Sequence, residues 1–419
     1  MDDRRRTNDE GRETRDEGED MAILFKNGRV IIGNGEVIER GTVVIDGNLV
    51  KFVGPAKKYP SSKKDTVFDI SGKTVLPGLI DAHIHICVDG SPDPITSLLK
   101  DSVPQITLKA ADHARRTLEA GVTTVRDMGG KDHIDIAIRD GIESGILQGP
   151  RMLCSGKPVC MTGGHGWQFG REANGMDEVR AAVREQLKAG ADLIKLMATG
   201  GIMTKGVEPG STQFTLEELI AGVEEARKAG RRTATHAQGT EGIKNALWAG
   251  INSIEHGFFL DDEAIELILE MKAFVVPTLC APYHIIKAGV RRGVPAFAVE
   301  KSKSVMKSHL QSVKKAHKAR VPIAMGTDAG TPFNRHGENL KEMELLVRIG
   351  FTPMEAIVAT TKTASEVLGL EKKIGTLEKG KLADLVIING DPLENIGVLQ
   401  HKEKIMAIMK EGRFYKCEL

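Results

Sequence analysis

The chain of 419 residues contains a His83-x-His85 pair whose spacing suits one metal ion. Alternate residues of a β-strand point to the same side, so both imidazoles can reach one ion if this segment is a strand. His236 in THAQG, His256 in SIEHG and Asp328 in GTDAG each end a short apolar run. Imidazole nitrogen and carboxylate oxygen are donors that zinc and related divalent ions prefer. These residues therefore predict a metal centre, provided that the fold brings the runs together.

Lys195 lies inside the apolar run LIKLM, where an ammonium group would lose its hydration. If the amine instead loses its proton and captures carbon dioxide, the resulting carbamate can bridge two cations about 3.5–4 Å apart. The alternative is a lysine whose head group reaches a neighbouring carboxylate. We expect the carboxylated form and two divalent ions. Zinc is our first choice, although manganese, cobalt or iron would also fit mixed N/O ligation.

The elements that must position these residues alternate along the middle of the chain. Amphipathic stretches with helical spacing separate eight short apolar runs, which are GLIDAHIHI, GVTTVRDMG, RMLCSG, ADLIKLMATGG, RRTATHAQG, INSIEHG, AFVVPTL and VPIAMGTDAG. Thr215 and Glu218 make a capping box, and Gly190 suits the position after a helix. Eight strand–helix repeats predict an α/β fold, specifically a (β/α)8 barrel with its chemistry at the strand ends. A doubly wound sheet is the alternative, but no G-x-G-x-x-G follows the first strand.

The two ends of the chain have a β-rich pattern. Between Met21 and Val75, brief β-branched runs are broken by NG, RG and DG, which are hairpin turn signals. The segments IGTLEKGKLADLVIINGDP and KIMAIMKEGRFYK repeat this pattern near the other end. We predict that residues 21–77 and 372–419 form one composite β-sandwich domain, and that residues 78–371 form the barrel.

Residues 1–20 are nearly all polar and lack the apolar core of a signal peptide. Their composition predicts a disordered tail, either a solvated extension or an acidic interaction arm. The net charge of +1 gives no general field for nucleic acid or an anionic membrane, and no apolar run reaches the roughly 18 residues that a membrane span requires. We therefore expect a small-molecule substrate, no nucleic-acid or membrane partner, and a cytoplasmic location.

Over nearly the whole chain, the motifs GLIDAHIH, KLMATGG, THAQG, SIEHG and GTDAG resemble, in this order, the binuclear subtype of the amidohydrolase superfamily. The resemblance implies a distorted barrel with a β-sandwich made by both chain ends, and a homo-oligomer. The ligands that it implies are His83, His85 and Asp328 for one metal, His236 and His256 for the second, and carboxylated Lys195 for both.

Within that superfamily, the chain is similar to a group related to imidazolonepropionases and Xaa-Pro dipeptidases, whose characterised members cleave dipeptides or N-acyl amino acids. The segment MTGGHGWQFG resembles a loop of this group whose histidine, here His165, faces the substrate. Several members have a tyrosine two residues after the strand-five histidine, where it helps to hold the substrate carboxylate. This chain has Gln238 there, and glutamine can still donate a hydrogen bond.

We therefore expect hydrolysis of an amide bond of a dipeptide or N-acyl amino acid by metal-activated hydroxide. Asp328 would be the general base and would then deliver the proton to the leaving nitrogen, while His165 would bind a carbonyl or carboxylate. The alternative is a cyclic-amide hydrolase of the imidazolonepropionase or hydantoinase type. A carboxylate clamp near His165 and Gln238 would favour the first activity, and a ring-sized slot the second. A non-catalytic barrel would lack ligands, and all six are present.

Overall fold

The computed structural model describes residues 21–419, so the predicted tail at 1–20 lies outside the described residues. The strands are β1 (Ile23–Ile31), β2 (Val37–Asp46), β3 (Leu49–Pro55), β4 (Thr66–Asp69), β5 (Thr74–Pro77), β6 (Leu79–Ile84), β7 (Val122–Asp127), β8 (Arg151–Cys154), β9 (Val159–Cys160), β10 (Arg171–Glu172), β11 (Leu193–Met197), β12 (Arg232–Ala237), β13 (Ser253–His256), β14 (Phe274–Val276), β15 (Leu385–Ile388), β16 (Ile405–Lys410) and β17 (Arg413–Cys417).

The helices alternate with the strands in the middle of the chain, as the sequence predicts. They are α1 (Pro94–Lys100), α2 (Val103–Glu119), α3 (Ile134–Glu143), α4 (Gly175–Ala189), α5 (Leu216–Lys228), α6 (Thr240–Trp248), α7 (Asp262–Glu270), α8 (Cys280–Ala288), α9 (Ala296–Lys318), α10 (Lys341–Arg348), α11 (Pro353–Thr360) and α12 (Lys362–Leu368). The predicted capping box begins α5, where the N–H of Glu218 donates to Oγ1 of Thr215 (3.3 Å) and the N–H of Thr215 donates to Oε2 of Glu218 (2.8 Å). Gly190 ends α4 with a φ of 97°, a conformation that glycine adopts without strain.

Both ends of the chain contribute to one eight-stranded sheet. Its strand order is β17-β16-β15-β5-β1-β2-β3, and β4 pairs with β1. The β5–β15 pair joins the two ends, and every residue of both strands is buried. Apolar side chains from both ends, including Phe25, Val75, Leu385 and Ile387, pack in one cluster. The description as a sandwich and the boundaries 21–77, 372–419 and 78–371 stay predictions.

The middle of the chain forms two parallel sheets, with strand orders β6-β7-β8 and β10-β9-β11-β12-β13-β14. The predicted strands at the first seven apolar runs are confirmed as β6, β7, β8, β11, β12, β13 and β14. Every residue of β6, β7 and β11 is buried, as expected for parallel strands covered on both faces. The chain therefore has an α/β fold with parallel sheets, as predicted.

The eighth apolar run, residues 321–330, lies between these two sheets without forming a regular strand. Ile323 bridges Val275 at the end of one sheet, and Ala329 bridges Ile84 at the end of the other. The consecutive N–H groups of Thr327 and Asp328 both donate to the carbonyl oxygen of His83 (3.2 and 2.7 Å). Successive N–H groups of a regular strand point to opposite sides, so this local geometry interrupts the strand that the sequence predicts.

Within residues 21–419, no α-helix combines the length and the apolar character that crossing a membrane requires.

Candidate metal centre

The six predicted ligands come together at the carboxyl ends of the parallel strands, where they line one pocket. His83, Lys195 and His236 lie within β6, β11 and β12, His85 directly follows β6, and His256 is the last residue of β13. Asp328 lies in the irregular segment 321–330 between the two sheets. The Oδ1 atom of Asp328 is 3.3 Å from Nε2 of His85 and 3.6 Å from Nε2 of His83. Residues from five separated segments of the sequence therefore meet at one point.

One compact group of donors joins residues from both predicted ligand sets. His83, His256 and Asp328 each offer one ligand atom, and these atoms all lie within 4.8 Å of one another. The ring centroid of His256 is 5.1 Å from that of His83 and 4.5 Å from that of His236. The spacing suits a shared centre, while the assignment of each ligand to one ion stays a prediction.

Each of the four histidines has one ring nitrogen bonded to a neighbouring group of the protein. The bonds join Nδ1 of His83 to Oε2 of Glu255 (2.8 Å), Nδ1 of His85 to O of Gly129 (2.7 Å), Nε2 of His236 to O of Gly200 (3.0 Å), and Nδ1 of His256 to Oγ1 of Thr278 (2.7 Å). A carbonyl or carboxylate oxygen only accepts, so the bonded nitrogen of His83, His85 and His236 must carry the proton, whereas the hydroxyl of Thr278 can donate to His256 or accept from it. In the first three histidines the other nitrogen then keeps its lone pair, as a metal ligand requires.

Burial keeps these imidazoles neutral, because it lowers the pKa of His83, His236 and His256 well below the usual range and that of His85 to about 4. Neutral imidazole is the form that binds a metal ion. The histidines of the centre therefore act as donors of lone pairs and carry no positive charge.

Lys195 is 2% exposed, and its Nζ atom has no hydrogen-bond partner among the described residues. Burial lowers the pKa of its ammonium group to about 8. The alternative of a lysine head group paired with a carboxylate is not present within residues 21–419. An unsatisfied amine in a buried site is costly, so this residue fits a modified or metal-bound state better than a free ammonium group.

Asp328 is also buried, which raises the pKa of its carboxyl group to about 8, while the positive charge of Lys195 acts in the opposite direction. A divalent cation among these donors would accept the lone pairs of neutral imidazoles and compensate a desolvated carboxylate. The donor set therefore fits a metal centre.

The backbone at two of the ligands is strained. His256 and Asp328 have φ angles of 75° and 59°, in the left-handed region that non-glycine residues rarely adopt. Each such residue costs on the order of 1–3 kcal/mol and persists where the surrounding structure enforces it. Asn334 contributes to this enforcement, because its Nδ2 donates to the carbonyl oxygens of Thr327 (2.7 Å) and Asp328 (2.9 Å).

Asp81, which the sequence analysis did not single out, ties the segment of Asp328 to β6. Its Oδ2 accepts from Oγ1 of Thr327 (2.6 Å) and Nδ2 of Asn339 (2.7 Å). Its Oδ1 accepts from the backbone N–H groups of His83 and Thr327, both at 3.1 Å. The available signal was a carboxylate inside the apolar run GLIDAHIHI. Asp81 therefore holds two ligand-bearing segments together.

Glu255 is a second residue that the sequence analysis missed, and it orients His83. Its Oε1 accepts from Nη2 of Arg126 (2.8 Å) and from Oγ of Ser253 (2.6 Å), while Oε2 bonds to His83. Nε of Arg126 also donates to the carbonyl oxygen of Ala82 (2.7 Å). The signal was one acidic and one basic residue inside two buried strands, but the sequence alone does not show that they face each other.

We expect Glu255→Gln to weaken both metal binding and stability. The neutral amide loses the carboxylate that fixes the tautomer of His83, and such partners are worth roughly 10–100-fold in metal affinity. Arg126 loses its buried counter-charge, so the free energy of unfolding should fall by about 3–5 kcal/mol. Metal content after dialysis and the denaturation midpoint measure the two effects.

Ser253→Ala is the matched control for Glu255→Gln, because it removes one hydrogen bond to Glu255 and one from Arg126 while the charge pair between them stays. We expect this control to retain metal. A Glu255→Gln protein with the metal affinity and stability of the parent would contradict the positioning role.

The structure places His165 and Gln238, the two predicted substrate contacts, on the wall of the same pocket. Nδ1 of His165 lies 2.9 Å from Oγ1 of Thr204, and its ring centroid is 4.2 Å from that of His236. A Cβ atom on Gly201 would lie 2.5 Å from Nε2 of His165, so the close approach requires glycine. Gln238 is 2% exposed, and its Oε1 has no hydrogen-bond partner among the described residues.

Among the described residues that line the pocket there is no arginine, and Lys195 is the only lysine. The neutral groups of His165 and Gln238 are available for hydrogen bonds to a polar part of the substrate.

Residues 74–414 match the amidohydrolase family. Ochratoxinase of Aspergillus niger is 32% identical over 406 residues, which cover 89% of this chain and 82% of that protein. Imidazolonepropionase of Rhizorhabdus wittichii is 26% identical over 392 residues, which cover 83% of this chain and 87% of the relative. A solved structure of a Xaa-Pro dipeptidase with methionine bound in its active site has a TM-score of 0.87 and 36% identity, covering 94% of this chain and all of the other.

Proposed function

The chain belongs to the amidohydrolase family, and from that premise we propose that it hydrolyses the amide bond of a dipeptide or an N-acyl amino acid. The family match and the relatives show that the chain is a hydrolytic enzyme that acts on amide bonds. The observation that carries the proposal is the meeting of four neutral histidines, an unpaired lysine and a buried aspartate in one pocket. The methionine in the related dipeptidase structure supports an amino acid as one product.

We propose that the centre holds two divalent ions, with zinc as the first choice. The proposed ligands are His83, His85 and Asp328 for one ion, His236 and His256 for the other, and carboxylated Lys195 for both. Ions bound there would polarise the amide carbonyl and lower the pKa of a water molecule. The lone pairs left on the histidines and the unsatisfied Nζ of Lys195 support this assignment.

We further propose that the two parallel sheets form a single distorted (β/α)8 barrel that residues 321–330 close. The bridges from Ile323 to Val275 and from Ala329 to Ile84 support this closure. At the opposite junction, the N–H of Asp192 donates to the carbonyl oxygen of Cys154 (2.8 Å). A composite β-sandwich, a cytoplasmic location and a homo-oligomer complete the proposal.

In the proposed reaction, Asp328 moves the proton. Its carboxylate lines the pocket, where it can accept a proton from the attacking water and deliver it to the leaving nitrogen. His165, whose ring lies beside that of His236, would hold the substrate carbonyl or the product carboxylate. Gln238 would supply a neutral hydrogen bond to the same end of the substrate. The surrounding apolar side chains would exclude bulk water from the reacting groups.

A cyclic-amide hydrolase is the second candidate. The lack of an arginine among the described lining residues favours it, because a neutral ring amide needs no cationic partner. The similarity to imidazolonepropionase over 83% of this chain points the same way.

The test is a substrate panel on metal-loaded enzyme that contains dipeptides, N-acetyl amino acids and ring amides such as hydantoin and dihydrouracil. We expect kcat/KM on the best acyclic amide to exceed that on any ring amide by about 100-fold or more. The Asp328→Asn protein serves as the blank. Turnover of ring amides by an enzyme inert on every acyclic amide would transfer the assignment to the second candidate.

A further inference from the structure

The pocket above the six proposed ligands has an apolar wall. Its side chains include Phe169, Ile202, Met203, Phe258, Ala281 and Ile285. Among the described lining residues, ionisable groups are confined to the ligands and His165. The polar residues that remain on the wall, such as Gln168, Gln238 and Thr204, are neutral. Apart from the ligands and His165, no described residue of the lining carries a charge that could form an ion pair with the substrate.

The wall is packed against a buried cluster. Ile202, Phe258 and Ile285 are 5%, 1% and 1% exposed, and they share one apolar cluster with Val299 and Val305 of α9. Side chains in a close-packed cluster keep one average arrangement and leave little space for water. This part of the wall therefore keeps its apolar character in the folded protein.

Aromatic rings flank the centre on two sides. The ring centroid of Phe169 is 5.8 Å from that of His85, and the ring centroid of Phe258 is 5.9 Å from that of His256. Both phenylalanines also line the pocket, so a bound group beside the reacting amide meets apolar surface next to two of the ligands.

We infer that the substrate carries a bulky, uncharged apolar group on one side of the scissile amide and that this group binds against the wall. The inference rests on the proposed function and names the substrate class within it. Apolar surface gains free energy by leaving water, whereas a charged group would lose its hydration without finding a partner.

Lys301 of α9 holds part of this wall in place. Its Nζ donates to the carbonyl oxygens of Thr204 (2.7 Å), Gly201 (3.4 Å) and Val207. These carbonyls surround Ile202 and Met203 in the loop between β11 and α5. The loop also supplies Thr204 to His165, so Lys301 is a positioning residue for both the wall and the predicted substrate contact.

Lys301 forms no ion pair within residues 21–419, so its donors are committed to the loop. A methionine at this position would keep an apolar stem of similar length and lose all three donors. Lys301→Met therefore tests the hydrogen bonds of the ammonium group while the packing of the stem is kept.

The substrate class is tested with matched pairs. N-acetyl-L-leucine and N-acetyl-L-phenylalanine are compared with N-acetyl-L-aspartate and N-acetyl-L-lysine, and N-hexanoylglycine with N-succinylglycine. On one side of the amide, we expect kcat/KM for the apolar member of a pair to be at least about 100-fold higher than for its charged member. Ile202→Asp should reduce the preference for the apolar member of the discriminating pair by about 10-fold or more, whereas Ile146→Asp, at an exposed isoleucine outside the pocket, should not.

The outcomes separate the two proposals. Equal rates on charged and apolar amides would overturn the apolar subsite and leave amide hydrolysis standing. A metal-loaded enzyme that hydrolyses no amide on either side would overturn the proposed function, and this inference with it.

The role of Lys301 is tested with Lys301→Met, Lys301→Arg and Lys303→Met, the last being an exposed lysine of the same helix. We expect Lys301→Met to raise KM for the preferred amide about 10-fold with little change in kcat, and to speed hydrogen exchange in residues 199–213. Lys301→Arg should restore part of the loss, and Lys303→Met should match the parent. An effect of Lys301→Met on melting temperature alone would overturn the positioning role.

Discussion

Replacing Asp328 with asparagine should reduce kcat by about 10³-fold or more and leave the fold intact. The carboxylate is the proposed proton carrier, and an amide of nearly the same shape cannot take up and return a proton. The backbone bonds of this segment, including the N–H of Asp328 to the carbonyl oxygen of His83 at 2.7 Å, do not use the carboxylate. Steady-state kinetics and metal analysis of the same preparation measure the effect.

We expect the Asp328→Asn protein to retain most of its metal, because the proposed histidine ligands and Lys195 remain. Asp89→Asn is a matched control. Asp89 lies five residues after the end of β6, and its carboxylate accepts a hydrogen bond from Lys109 instead of lining the pocket. The control should keep near-parental turnover. Near-parental turnover in Asp328→Asn itself would remove this residue from the role of base.

Lys195→Ala should also abolish activity, and short carboxylic acids such as acetate or propionate should restore part of it. The substitution removes the proposed carbamate and leaves a space in the lining of the pocket that a small carboxylate can enter. The structure motivates this test directly, because Nζ of Lys195 is buried and lacks a hydrogen-bond partner among the described residues. Activity measured against the concentration of added acid gives the result.

Two further measurements make the Lys195 experiment specific. Asp328→Asn should show no rescue by the same acids, because its defect lies in proton transfer. Metal-loaded parent enzyme prepared in ¹³C-bicarbonate should show a carbamate carbon signal that Lys195→Ala lacks. Failure of rescue, combined with an unmodified lysine in the active enzyme, would refute the bridging carbamate.

Much of the centre could be predicted from residue type and spacing. The alternation in His83-x-His85 placed two imidazoles on one side of a strand, and the rule that barrel chemistry lies at strand ends brought His236, His256 and Asp328 to them. The structure brings these side chains together in one pocket. Local sequence was sufficient for the histidines and Lys195 because each of them lies in its own strand or directly after it.

The partners of the ligands could not be predicted in the same way. The bond between His83 and Glu255 joins residues that are 172 positions apart, and it depends on side-chain directions in strands from different sheets. The irregular backbone at Asp328 also depends on contacts with a distant strand, since two consecutive N–H groups share one carbonyl oxygen of β6. Periodicity in the sequence contains no information about such pairings.

The position of β5 between β1 and β15 has a consequence for the order of events during synthesis. Only Gly78 separates β5 from β6, the strand that carries His83, so the first ligand strand is anchored to the terminal sheet. One edge of β5 stays unpaired until residues 385–388 have left the ribosome, about 300 residues later. We therefore expect the nascent chain to keep an unpaired strand edge beside its first two ligands. It should become able to bind metal only near the end of translation.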